Sequence, residues 1–174
     1  MIALRPIDPE QDVDAVLGWI NDSEVTRNFA AFSEAPVTRD AELAFLRGVA
    51  ASPTDRLYAV VESATGAVIG TAGVHKIYWP ARNGRIGLMI GRRDLHGRGI
   101  GTAALRALVA VGFGDLGLHK LWAVHYADNQ RMAHLFGKLG FTREGLLRDE
   151  YFHRGAFHDM VRWSRLAGDP PAPS

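Results

Sequence analysis

The chain of 174 residues contains no cysteine. That absence excludes disulfides, thiolate metal sites and a cysteine nucleophile together. No apolar run approaches the ~20 residues a membrane helix needs. The first residues, Met1-Ile2-Ala3-Leu4-Arg5-Pro6, lack the basic-then-apolar run of a signal peptide. An excess of one charge is missing too: 20 Lys and Arg against 19 Asp and Glu leave a net +1. A field that weak does not hold nucleic acid. No Gly-Lys-Ser or Gly-Lys-Thr occurs, so there is no Walker loop. His75, His96, His119, His134 and His158 show no metal-ligand spacing, and no metal is expected. These absences point to a cytoplasmic chain that engages neither membrane nor nucleic acid.

What remains is 47% hydrophobic and 22% charged, the composition of an ordinary folded domain. Residues 1–167 are expected to form one domain. The end, Gly168-Asp169-Pro170-Pro171-Ala172-Pro173-Ser174, reads as a disordered tail over residues 168–174.

Periodicity orders the elements. Residues 2–7 read as a strand broken by Pro9, and residues 12–20 as a helix on Val13, Val16, Leu17 and Ile20. Thr38 is an N-cap for a helix over residues 39–51, with Leu43, Phe45, Leu46 and Val49 as its inner stripe. Residues 57–61 and 68–77 make a hairpin around Thr65-Gly66, and residues 85–90 another strand. A helix over 102–113, a strand over 121–126 and a helix over 129–139 follow. Two strands then flank Arg154-Gly155 between residues 141 and 166. The central strand–helix–strand crossover demands parallel neighbours, and the hairpins demand antiparallel ones. The expected fold is α/β, a mixed sheet with helices on both faces.

The sharpest feature is His96-Gly97-Arg98-Gly99-Ile100-Gly101-Thr102, between a strand and a helix. Alternating glycines permit backbone conformations that side chains block, so successive N–H groups can converge. A helix start adds unpaired donors and a positive dipole end. Pyrophosphate suits that environment, with Arg92, Arg93 and Arg98 adding charge at the rim. The bland reading is a turn with glycines for geometry alone. Residues 99–104, Gly-Ile-Gly-Thr-Ala-Ala, also satisfy a dinucleotide fingerprint, and Asp128 follows the next strand. That fingerprint normally opens its domain, whereas most of the sheet precedes it here.

The stretch from His96 to Gly101 resembles the phosphate loop of the GCN5-related N-acetyltransferase (GNAT) family, Gln/Arg-x-x-Gly-x-Gly/Ala, departing at its first position. Asn129, the helix after it and Lys138-Leu139-Gly140-Phe141 resemble the family's next signature. Leu4-Arg5-Pro6, the run from Trp19 to Val25, and Glu144-Gly145-Leu146-Leu147-Arg148 with Gly155 and Asp159 resemble one branch. That branch holds the ribosomal-protein N-terminal acetyltransferases and some amino-sugar and diamine acetyltransferases. The likeness spans almost the whole chain.

The resemblance implies a mostly antiparallel sheet with one splayed parallel strand pair at the cofactor cleft, acetyl-coenzyme A as cosubstrate, and a primary amine as acceptor. The amine could be a peptide N-terminus, amino sugar, diamine or antibiotic. The resemblance also implies a homodimer. It gives Leu88, Met89 and Ile90 backbone contacts with the pantetheine arm. His96, Gly97, Arg98, Gly99, Ile100, Gly101 and Thr102 would take the pyrophosphate, with Asn129 and Phe136 beside the arm. Asn129 offers donor and acceptor, and also suits a helix N-cap.

The family pattern breaks at three places. Arg85 stands where the branch often has Glu, Met132 where it has Ser, and Phe136 where other members place an acidic Tyr. The usual base and acid therefore do not carry over. Near the expected acceptor cleft the titratable candidates are Glu24, His125, Tyr126, Glu150, Tyr151 and His153, with Glu150, Tyr126 and Glu24 as the catalytic choices. Each also suits a bland role: a loop cap, strand packing or surface. A thioester is already activated, so positioning alone contributes ~7–11 kcal/mol in favourable cases, and a backbone N–H near Ile90 can polarise its carbonyl. Two readings stay open: an N-acetyltransferase acting by direct transfer, and a coenzyme A-binding module that has lost catalysis.

Overall fold

The computed structural model describes residues 1–29 and 35–170. Seven strands form one sheet: β1 (Ile2–Pro6), β2 (Arg56–Glu62), β3 (Val68–Tyr78), β4 (Asn83–Ile90), β5 (Lys120–Tyr126), β6 (Thr142–His153) and β7 (Ala156–Leu166), in the order β1-β2-β3-β4-β5-β7-β6. Every neighbouring pair is antiparallel except β4 with β5. The helices are α1 (Pro9–Ile20), α2 (Ser23–Thr26), α3 (Arg39–Ala51), α4 (Ile100–Ala110) and α5 (Gln130–Lys138). The expected mixed sheet and its single parallel pair are both present.

The elements begin where their caps allow. Pro9 does not merely break β1; it opens α1, where its missing N–H costs nothing, and Asp8 caps Glu10 and Gln11. Thr38 caps α3 as expected, its hydroxyl accepting from Ala41 N–H. The four-residue α2 has no apolar period to announce it and rests on Asp22 as cap. Arg154 (φ 51°) and Gly155 (φ 78°) make the tight β6–β7 turn. Residues 168–170 of the expected disordered tail are tied back: Asp169 accepts from Leu166 N–H at 2.8 Å, and the Arg165 guanidinium donates to the Pro170 carbonyl at 3.3 Å. Residues 171–174 lie outside the described residues.

Alternation along the strands separates two cores. Ile86 joins Leu105, Leu108, Leu121 and Phe136 beneath α4 and α5. On the other face Met89 packs with Val16, Ile20 and Val25 of α1 and α2, and Ala59 with Val13 and Leu46 of α1 and α3. The buried Asp12 carboxylate takes both Arg5 nitrogens at 2.8 and 2.6 Å, tying α1 to β1. Trp19 covers Gly91 so closely that a Cβ there would lie 1.9 Å from the indole.

The inner stripe of α3 differs from expectation. Phe45 is 58% exposed, while Glu42 is only 5% exposed. Glu42 lies one turn before the buried Leu46 and shares its face, whereas Phe45 is rotated away by ~100°. The Glu42 carboxyl makes no hydrogen bond or ion pair among the described residues, and burial pushes its pKa from 4.5 up to about 6. Because the folded state holds this proton more tightly, stability falls as pH rises from ~4.5 to ~6 and then levels off. Glu42→Gln should remove that slope and raise stability at pH 7 by about 1 kcal/mol, after discounting for solvent screening. Urea denaturation of both proteins at pH 4.5 and pH 7 measures it.

Candidate functional site

The site is built on the one parallel seam. Asn83, Gly84 and Arg85 pair with Lys120, Leu121 and Trp122, and the pairing then stops. Beyond it β4 stays bound to β3 as far as Ile90, and β5 stays bound to β7 as far as Tyr126. The two strands thus enclose a fork. Gly91 N–H bonds to the Ile69 carbonyl on β3. By antiparallel alternation Met89 turns its backbone toward β3 as well, while Ile86, Leu88 and Ile90 present theirs to the fork. Leu88 and Ile90 are therefore placed to pair with an extended ligand. Met89 is not: its polar backbone faces β3 and its side chain is buried under α1 and α2.

Past β4 the chain turns through the glycine-rich segment. Gly97 (φ 81°) and Gly99 (φ 78°) occupy the left-handed region, which explains both glycines. Gly101 is different. It lies within the first turn of α4, where an added Cβ would meet only Leu88 at 3.5 Å and Leu135 at 4.0 Å, ordinary contacts. The helix begins at Ile100, two residues earlier than its periodicity suggests, and ends in a π turn, Val111–Asp115. Gly99 caps it without a side chain. Ala103 is the first residue to donate back, to the Gly99 carbonyl. The N–H groups of Ile100, Gly101 and Thr102 are left without acceptors among the described residues. Three bare amides at the positive end of an 11-residue helix form an anion site.

The surrounding cations divide. Arg92 is held by Asp94 at 2.8 and 2.6 Å, and Arg93 faces Asp22 at 3.6 Å. Arg98 has no ion-pair partner among the described residues. His96 donates from Nε2 to the Ile90 carbonyl at 2.8 Å, so it braces the turn against the end of β4. Asn129 caps α5, its Oδ1 accepting from Met132 N–H at 3.2 Å, while its NH₂ has no partner among the described residues.

A cleft of about 460 Å³ runs along the fork. Leu88, Ile90, the glycine turn apart from Arg98, Thr102, Asn129 and Phe136 line it, and so does Glu24. Arg27, Asn28, Arg131 and His134 also line it and were not singled out from the sequence. Arg131 and His134 stand three apart on one side of α5 near its capped end, a spacing that could have flagged them.

The remaining candidates divide between the cleft and other places. Glu24 faces Arg27 at 3.4 Å. Glu150 is exposed and does not line the cleft. A bulge between Leu147 and Tyr151 carries Glu150 out of the ladder; there Asp149 adopts φ 48° and donates its N–H to Asp159 at 2.8 Å. His125 lines the cleft, but both ring nitrogens are committed. Nδ1 donates to the Tyr126 carbonyl at 2.7 Å, and Nε2 accepts from the Trp163 indole at 2.9 Å. Burial holds His125 below its usual pKa, and the neutral ring packs in a triangle with Phe136 (6.0 Å) and Trp163 (6.3 Å), which are themselves 6.2 Å apart. The Tyr126 hydroxyl and the His153 Nε2 are buried without partners among the described residues, and burial raises the Tyr126 pKa. Among the described residues no group of His, Asp and Glu is placed to hold a metal.

An open strand edge leading to bare helix amides suits an extended, amide-bearing ligand that ends in phosphates. A family model described as an acetyltransferase (GNAT) domain matches residues 2–142. The uncharacterized N-acetyltransferase p20 of Bacillus licheniformis is 28% identical over 167 residues, 95% of this chain and 92% of that protein. The putative ribosomal N-acetyltransferase YdaF of Bacillus subtilis is 31% identical over 101 residues, 58% of this chain and 55% of that one. In structure, spermidine N-acetyltransferase from Vibrio cholerae, solved with CoA and spermine, superposes with a TM-score of 0.88 at 21% identity. That match covers 97% of this chain and 96% of that chain. The chain belongs to the GNAT acetyltransferase family. It is an N-acetyltransferase that moves acetyl from acetyl-coenzyme A to an amine.

The two glycine types separate in experiment. Gly99→Val forces a branched residue into the left-handed region and should abolish acetyl-coenzyme A binding. Gly101→Ala should fold normally, because only ordinary contacts await its methyl. Calorimetric titration of both folded variants reads the difference; unchanged binding by Gly99→Val would refute the assignment.

Proposed function

We propose that this enzyme acetylates a small primary amine by direct transfer within the β4–β5 fork. The observation that carries the reading is the continuous path from the open strand edge at Leu88 and Ile90 to the bare amides of Ile100, Gly101 and Thr102. The bound thioester supplies an activated acyl group. The protein's part is to hold the two reactants in line and keep the arm extended against β4. The N–H groups of Leu88 and Ile90 both face the fork, and the one beside the thioester can stabilise the oxyanion of the tetrahedral intermediate.

Glu24 is the one carboxylate lining the cleft among the described residues, and we assign it the amine's proton in place of Glu150. Tyr126 does not line the cleft, and in this reading the departing thiolate takes its proton from solvent. The polypeptide acts as a cytoplasmic homodimer in this reading. β6 is an edge strand, and its hairpin exposes Phe152 at 59% and Phe157 at 63%, large apolar surface suited to a second copy. Light scattering tests that assembly.

Initial rates with acetyl-coenzyme A and an amine should give intersecting double-reciprocal plots, and the isolated protein should carry no acetyl label. Glu24→Gln should lower kcat/KM by ~100-fold, the lower end of general-base effects, with acetyl-coenzyme A affinity unchanged. Glu150→Gln should match the parent across pH. Parallel plots together with labelled protein would overturn direct transfer. Full activity in Glu24→Gln would move the proton to water.

A further inference from the structure

Arg85 is a half-buried guanidinium in the cleft with no hydrogen bond or ion pair among the described residues. A buried cation is ordinarily paired, because removing it from water is costly. The nearby carboxylates are spoken for. Asp55, beyond the cross-strand neighbour His75, already accepts from Ser52, Thr54, His75 and Lys76 N–H. Glu24 faces Arg27. Burial depresses the Arg85 pKa, and the one neighbour whose charge opposes that effect is Tyr151, a phenol rather than a carboxylate.

Position says which reactant Arg85 meets. Ile86, Leu88 and Ile90 send their side chains toward α4, whereas Met89 sends its side chain toward α1 and α2. Arg85 shares the parity of Met89 and emerges on the α1–α2 face. It also sits five residues before Ile90, about 17 Å back along the strand from the end that adjoins the phosphate-binding turn. That distance removes it from the pyrophosphate. On the same face, Tyr126 and His153 hold buried polar atoms without partners. The charged side chains lining the cleft are Glu24, Arg27, Arg85 and Arg131, with Glu24 and Arg27 offsetting each other.

We propose that the acceptor is an amine that also carries a carboxylate, and that Arg85 holds that carboxylate while the amine reaches the fork. The planar fork of the guanidinium matches a carboxylate through two parallel hydrogen bonds. A polycationic amine would instead meet an unpaired buried cation. The inference rests on the acetyl-transfer reading and narrows its substrate.

The test compares β-alanine with β-alaninamide as free amines, and Asp-Ala-amide with Asn-Ala-amide as peptide N-termini, with spermidine alongside. In thiol release with acetyl-coenzyme A, the parent should favour a carboxylate-bearing member over its neutral twin by about 10- to 100-fold in kcat/KM. Preference within the first pair marks a free amino acid; preference within the second marks an acidic peptide. Arg85→Gln should lose the preference through KM while acetyl-coenzyme A affinity stays constant, and Arg85→Lys should restore part of it. The same pairs titrated calorimetrically into the protein saturated with coenzyme A read the preference without turnover. Absence of turnover with every amine, but with selective binding retained, would count against the catalytic reading alone. Equal binding within both pairs, a preference for spermidine, or a ratio unchanged in Arg85→Gln would overturn the carboxylate assignment.

Discussion

The site depends on a parallel pairing that lasts three residues and then stops. Asn83, Gly84 and Arg85 join β5, and past Arg85 the two strands no longer pair. Backbone groups left unpaired inside a protein are expensive. The fork persists because each strand is fully engaged on its outer side, β4 with β3 and β5 with β7. Closing it would bend both strands off the courses that those outer ladders set. The end of β4 is pinned further by Trp19 over Gly91 and by His96 on the Ile90 carbonyl. The cleft is a rigid opening with hydrogen-bonding capacity along one wall.

Strand alternation then sorts the chemistry. One face of β4 carries Ile86, Leu88 and Ile90 into the core beneath α4, so the cofactor side is apolar up to the helix start. The opposite face carries Arg85 and Met89 toward α1 and α2. Charge at the rim follows the same economy. Arg92 and Arg93 are committed to Asp94 and Asp22, which leaves the helix amides and Arg98 to meet an anion. Histidine 125, chemically the obvious base, is neutralised by burial and locked by Tyr126 and Trp163 into structural work.

How much was legible depended on whether a residue's role is local. Gly97 and Gly99 announce themselves because left-handed backbone is a local demand that few residues meet. Asn129 and Thr38 are legible as caps for the same reason. Phe45 was misplaced, and Glu42 passed over, because a stripe in which Phe45 and Leu46 adjoin cannot show which of them faces inward until α3 docks on α1 and β2. Glu150 was a candidate for its place near the expected acceptor cleft; a bulge three residues wide, with Asp159 as its hydrogen-bond anchor, was not visible in the pattern.

The sequence by itself determined the elements apart from α2, the glycine turn before a helix, the absence of thiol chemistry and the family. The first three follow from composition, short-range backbone preference and spacing, and the family from the resemblance of its motifs. Only the tertiary structure decided where the parallel seam ends, which of Leu88, Met89 and Ile90 face it, and which carboxylate lines the cleft. It also decided that Arg85 has no protein partner among the described residues. The reason is physical: these properties arise from register and from packing between elements distant along the chain, and a single strand carries no record of the neighbour it stops touching.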